Sequence, residues 1–170
     1  MKKFGIFIAI LVVLIGVALA FGSTIEREVR TEIEIEAPAD RVWAVATDFN
    51  QWADWSPIIN AASGVAQAGA LLSITMIGED NGDGPTYEPI VLNADAPRFM
   101  RFQAKIVTGS VFTNEKVFLL EPTDAGTKLV HIEVFKDALV PLMWGQVQAN
   151  VPSMLDSMNA ALKEKVEAGG

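Results

Sequence analysis

The sequence predicts an α+β domain, a curved antiparallel sheet of six to seven strands wrapped on one long C-terminal helix, preceded by a transmembrane helix. Three observations predict it. An uncharged run fills residues 4–22, short alternating segments separated by turn residues fill the middle, and a 3.6-residue apolar stripe closes the chain.

The run from Phe4 to Gly22 follows Lys2 and Lys3 and reaches roughly 28 Å as a helix, enough to cross a bilayer. It is apolar all round, unlike a helix that packs one face on a core. Ala18-Leu19-Ala20 has the small-x-small form of a signal-peptidase site, so residues 1–22 read as a membrane anchor or signal peptide, and the length favours the anchor. The two lysines keep the N-terminus inside, which places the rest outside the cytoplasm: periplasmic or at the cell surface, and secreted or periplasmic if cut after Ala20. Residues 23–30 read as a polar tether.

Residues 31–168 suffice for one domain with a substantial core. Thr31-Glu32-Ile33-Glu34-Ile35-Glu36 alternates strictly, a strand with one wet face. Pro38 suits the first turn of a helix in which Val42, Val45, Ala46 and Phe49 share a face, and a short turn with Trp52 and Trp55 ends before Pro57. Trp43, Trp52 and Trp55 read as packing that pins these helices to the sheet. Leu71 to Ile77 and Tyr87 to Ala94 flank a hairpin loop at residues 79–84, which holds both Asn-Gly and Asp-Gly. Strands at 98–107, 112–121 and 127–135 follow, and their short links predict an antiparallel meander. Val147, Val151, Met154, Leu155, Met158, Leu162 and Val166 form the stripe of the last helix, with Asn159 assigned among its polar residues. Pro152 stands in the first turn of this helix or kinks a longer one that begins near Leu142; the pattern allows both.

Composition narrows the chemistry. Past residue 22 the chain has eleven Lys and Arg, thirteen less Lys2 and Lys3, against twenty-one Asp and Glu, a net of −10. Such an acidic domain lacks the basic face that nucleic acid requires. Without cysteine there is no disulfide framework, thiol nucleophile or Cys metal site, and no cofactor is expected. Residues 79–84 superficially match a calcium loop, but Ile90 stands where the bidentate glutamate belongs and strands flank it, so no metal is expected.

Ile35-Glu36-Ala37-Pro38-Ala39-Asp40-Arg41-Val42-Trp43, Asp48-Phe49-Asn50-Gln51-Trp52, Trp55-Ser56-Pro57 and Leu129 to Phe135 with Leu139 to Leu142 resemble the START-like or SRPBCC superfamily of polyketide cyclase-like, helix-grip proteins. Asp137 departs from the pattern, standing where glycine is common. The resemblance implies the helix-grip fold and an internal cavity for an apolar small molecule, without a catalytic signature common to the group.

The expected ligand-binding residues are Tyr87, Phe102, His131, Glu133, Phe135, Trp144, Val151, Met154, Leu155 and Met158, joined by Met143 and Asn114 as further candidates. Thioethers and aromatics make an adaptable apolar lining. His131 and Glu133, at alternate positions of one strand, either face solvent or point inward to orient a polar group or exchange a proton. The leading expectation is therefore a membrane-tethered domain that binds a hydrophobic or amphipathic molecule, lipid- or isoprenoid-like. The alternatives are a cyclase- or dehydratase-like enzyme using His131 and Glu133 as acid and base, and an envelope structural or partner-binding protein without a pocket. A cavity below about 300 Å³ would favour the last.

Overall fold

A computed structural model describes residues 25–107 and 111–169, together with residues 13 and 16. The expected membrane span and cleavage site otherwise lie outside the described residues. Within those residues no helix is long and apolar enough to cross a membrane.

The described residues form eight strands, one long helix and two short ones. β1 (Glu26–Ile35) is followed by α1 (Ala39–Thr47), a 3-10 turn at Phe49–Gln51 and α2 (Trp52–Trp55). Then come β2 (Ile59–Ser63), β3 (Ser73–Ile77), β4 (Asp83–Tyr87), β5 (Ile90–Asp95), β6 (Phe99–Val107), β7 (Phe112–Thr123), β8 (Gly126–Lys136) and α3 (Val140–Ala168). The strands form two antiparallel sheets, ordered β1-β8-β7-β6-β5 and β2-β3-β4.

The alternation in β1 works as read. Ile35 is buried and Ile33 partly so, while Glu28, Glu32 and Glu34 face water. β1 nevertheless starts at Glu26, so most of the expected tether is strand, paired with β8 from Glu26↔Lys136 to Ile35↔Thr127. Val29, buried within that segment, supplies an apolar anchor for the pairing.

One strand is added and one further expectation is corrected. Ile59–Ser63 is a strand, pairing with β3. The segment read as one strand from Tyr87 to Ala94 is two, divided at Glu88-Pro89. Proline has no N–H to give a ladder, which limits it to edges and breaks. Among the described residues there are thus eight strands in two sheets instead of six or seven in one.

α3 is the longer of the two helices the sequence allowed, with Pro141 in its first turn and Pro152 inside it. Pro152 deprives the Gln148 carbonyl of its helical donor, and Gln148 is exposed, where solvent can take the place of the lost bond. Asp137, just before α3, has φ +89°, the left-handed region that favours the glycine the resemblance leads one to expect there.

The buried face of α3 joins two apolar clusters. Met158, Leu162 and Val166 pack with α1, Trp52, Phe102 and Phe118, whereas Val147 and Leu155 pack with Val29, Phe112 and Phe135. Trp52 anchors the first cluster: its ring lies 4.9 Å from Phe49 and 6.3 Å from Phe118, and its Nε1 donates to the Ala46 carbonyl at 3.1 Å. The space these clusters leave between sheet and helix is the candidate site.

Candidate functional site

A cavity of about 230 Å³ opens between the sheets and α3. Ile59, Ile74, Met76 and Tyr87 wall one side, Phe102, Ala104 and Ile106 of β6 another, and Val151, Met154 and Met158 of α3 the third. The fourth side is polar. It is formed by Asn114 and Lys116 of β7 and Glu133 of β8, with Phe135 beside them.

Strand periodicity puts them there. Even positions of β7 and odd positions of β8 face inward, and the register sets Lys116 directly opposite Glu133, with Asn114 opposite Phe135 and Phe118 opposite His131. Directly opposed and diagonal residues on one face touch, so one cross-strand patch holds a cation, a carboxylate, an amide and an imidazole.

These groups form one chain of hydrogen bonds. The Lys116 ammonium forms an ion pair with Glu133 and donates to His131 Nε2 at 3.1 Å, and Asn114 Nδ2 donates to Glu133 Oε2 at 3.3 Å. Behind the wall, His131 Nδ1 lies 2.7 Å from Asn159 Oδ1, and Asn159 Nδ2 donates to Thr31 Oγ1 at 2.8 Å. Because Asn159 spends its amide N–H on Thr31, its oxygen is left to accept, so the His131 proton sits on Nδ1 and its Nε2 accepts from Lys116.

His131 is fully buried. Burial pushes its imidazole well below the ordinary value, the neighbouring Lys116 charge pushes the same way, and the Asn159 bond opposes both less strongly. At neutral pH it is therefore an uncharged acceptor. Lys116 has three N–H groups, of which His131 and Glu133 take one each. The third is available to the cavity that Lys116 lines. The arrangement can thus hold an oxygen acceptor at one fixed point of an otherwise apolar chamber.

Of the expected residues, Tyr87, Phe102, Glu133, Phe135, Val151, Met154 and Met158 line the cavity, and so does Asn114. Three do not. His131 stands behind Lys116, Leu155 is buried in the second apolar cluster, and Trp144 packs against Phe135 at 6.4 Å with the Arg27 guanidinium over its ring at 5.1 Å. Met143, 39% exposed, is also off the wall. His131 and Glu133 point inward, which decides between the two faces the sequence left open. Sequence reasoning missed Lys116 and placed Asn159 on the polar side of α3, although it is 2% exposed. Among the described residues no cluster of His, Cys, Asp or Glu could hold a metal ion.

The two sheets gripping one long helix around a partly polar chamber define an α+β cavity protein of helix-grip type. Residues 26–167 match the family model described as polyketide cyclase / dehydrase and lipid transport, and the chain belongs to that family. A protein from Rhodobacter sphaeroides superposes with a TM-score of 0.70 at 14% identity, covering 84% of this chain and 93% of its own. The aromatase/cyclase ZhuI from Streptomyces sp. R1128 gives 0.67 at 18% identity, with 84% and 94% covered. A norcoclaurine synthase point mutant from Thalictrum, in complex with a transition-state analogue, gives 0.65 at 17%, with 86% and 98% covered. The chain spans 53% of the di-domain aromatase/cyclase StfQ, at 8% identity and a TM-score of 0.68. At these identities the likeness is one of fold. A comparison with curated protein sequences finds no match.

Proposed function

We propose that the protein binds a small apolar molecule, ring-containing and carrying one accepting oxygen, with that oxygen held by Lys116. The observation that carries the reading is the polar patch of Lys116, Glu133 and Asn114 in a chamber whose described lining is otherwise apolar apart from the Tyr87 phenol. A void left by packing is apolar and dry, and one of about 150 Å³ already accepts benzene. The volume here, about 230 Å³, falls on the side of the roughly 300 Å³ criterion that favours a protein without a pocket; the charged pair on its wall argues against that reading, and the space suits a ring or one end of a longer molecule instead of a whole isoprenoid. Membership of a cyclase and lipid-transport family supports a hydrophobic ligand. The apolar run at residues 4–22 supports a placement outside the cytoplasm at the membrane, where such ligands partition. Protease accessibility of the domain in intact cells tests that placement.

The ligand reading is tested by titrating the full-length chain with naphthalene and with 2-naphthol, following tryptophan fluorescence, since Trp52 lines the wall. Naphthol should bind at least about tenfold more tightly, the value of one hydrogen bond to a charged donor, and Lys116→Met should erase the difference. Equal affinities in the native protein would sink the proposal.

A second reading, proton transfer to or from the ligand, is favoured by Glu133 and Lys116 both reaching the chamber. It assigns the exchange to that pair, with His131 as a positioning residue.

A further inference from the structure

The division of the sheet at Pro89 has a counterpart across the gap. β4 and β5 run along one line, since Ile74↔Tyr87 in the β3 ladder and the Leu71↔Ile90 bridge share a register. On the other side, β5 pairs with β6 from Ile90↔Gln103 onward, at one register for its first two pairs. Continued backwards, that register would set Glu88 opposite Lys105 and Thr86 opposite Val107. No such pairing exists among the described residues: β4 bonds to β3 alone, and the two sheets stay separate. The sheet is unzipped between the end of β4 and the second half of β6.

A groove of about 740 Å³ occupies the gap. Its apolar members include Leu71, Ile90 and Ile106, which are 67%, 37% and 40% exposed. Thr86, Glu88, Gln103 and Lys105 give it a polar rim, along which water can reach the two unpaired strand edges. Tyr87, Ala104 and Ile106 line both this groove and the inner chamber, so the two spaces adjoin at the same three side chains.

We infer that this gap is a portal, and that the ligand is an amphiphile whose oxygen-bearing end sits at Lys116 while an apolar chain passes between Tyr87 and Ala104 to lie on Leu71, Ile90 and Ile106. The inference rests on the cavity reading above and extends it. It resolves the mismatch between a chamber too small for a long molecule and a family that includes lipid transport: the chamber takes the head, and the groove takes the chain. The orientation follows from polarity, because the charged patch is inside and the exposed apolar side chains are outside.

The test uses phenol and para-ethyl-, para-hexyl- and para-octylphenol with the full-length protein, below their aggregation concentrations. Affinity should climb about fourfold per methylene from ethyl to hexyl, as buried methylenes predict. Leu71→Asp, a change at an exposed position that spares the core, should flatten the climb for the longer chains. Ala104→Trp, which plugs the shared wall, should flatten it as well. Phenol that binds with no gain beyond ethyl, or a native slope that survives in both variants, overturns the portal and leaves the cavity reading standing. Failure of every phenol to bind overturns both.

Discussion

Lys116→Met removes the ammonium from between Glu133 and His131 without removing the side-chain volume. Lys116 and Glu133 side chains are 12% and 6% exposed, so the carboxylate left behind is nearly dehydrated, with Asn114 at 3.3 Å as its remaining partner among the described residues. Breaking a buried pair from one side costs about 3–5 kcal/mol, and the cavity's access to water places this case near about 2–3 kcal/mol. That corresponds to a melting temperature lower by roughly 5–10 °C for a domain of this size. Lys116→Met with Glu133→Leu should behave differently, because no unpaired charge remains and apolar replacements of buried pairs are often neutral or better. The double variant should lie within about 1 kcal/mol of the native protein, the residue being the donor lost by His131 Nε2. Urea unfolding of the native, single and double variants measures all of these terms in one cycle. A Lys116→Met variant within about 0.5 kcal/mol of native, or a double variant as unstable as the two singles added, would refute a buried, coupled pair.

His131 sets a pH dependence with a definite sign. Its folded pKa is depressed, so the unfolded chain binds a proton near pH 6.5 that the folded chain refuses, and stability present above that pH falls by about 1.4 kcal/mol per unit below it. His131→Gln should lack this slope between about pH 5 and pH 6.5 in urea titrations, and equal slopes would count against a neutral buried imidazole. Burial raises the Glu115 carboxyl but hydrogen bonds from Gln103, Lys136 and Arg101 outweigh it, so the net lowering acts below the ordinary glutamate value of 4.5, outside that window. Asn159→Leu strands His131 Nδ1 and Thr31 Oγ1 and should cost about 1–3 kcal/mol. Because the chain has one histidine, its ring nitrogen shifts report the tautomer directly; in Asn159→Leu the Lys116 donation to Nε2 remains, so the proton should stay on Nδ1, now without an acceptor. Gly126→Ala meets a backbone at φ +147° and sets a Cβ 2.8 Å from Ala37 N, with the Ile35 carbonyl closer still. It should cost more than about 1 kcal/mol in thermal unfolding.

Elements that bury one face wrote themselves plainly into the sequence. Ile33 and Ile35 between glutamates, and Leu155, Met158, Leu162 and Val166 at helical spacing, leave one arrangement each. Ile59–Ser63 carried no such mark, because Asn60, Ala61 and Ala62 are small or polar and the strand is half wet, so pairing with β3 defines it instead of its own pattern. The break at Pro89 was legible in principle, since a proline inside a strand signals an edge or an interruption. Its meaning required the register of β6. At the site, His131 and Glu133 were found because polar residues alternate there with Leu129 and Phe135. Lys116 has the same signature, with Phe112, Phe118 and Leu120 on its face, but lysine in a strand is usually solvated and reads as surface. Asn159 was assigned to the wet side of α3 although it stands four after Leu155 and three before Leu162, within the apolar stripe. A single polar residue in such a stripe is a signal of a buried bond.

The geometry also ranks the chemistries that the sequence left open. A general acid or base works best with a pKa near the ambient pH, and it must reach the group it serves. His131 meets neither condition, since burial and Lys116 move it away from neutrality and Lys116 occupies its Nε2. What it does supply is an uncharged acceptor 3.1 Å from the ammonium. Were it protonated, two cations would share that distance within a mostly apolar wall, and Lys116 would have to move away from Glu133 or from His131. The neutral imidazole, imposed by burial and by the Lys116 charge, and the fixed position of Lys116 are therefore a single condition, while Asn159 and Thr31 orient the ring from behind. Within that chain of hydrogen bonds, Lys116 and Glu133 are the ionisable groups that face the chamber, so proton exchange with a ligand through the chain runs through them. Apolar side chains at both positions would hold the wall together about as well, so stability alone does not account for the charges there.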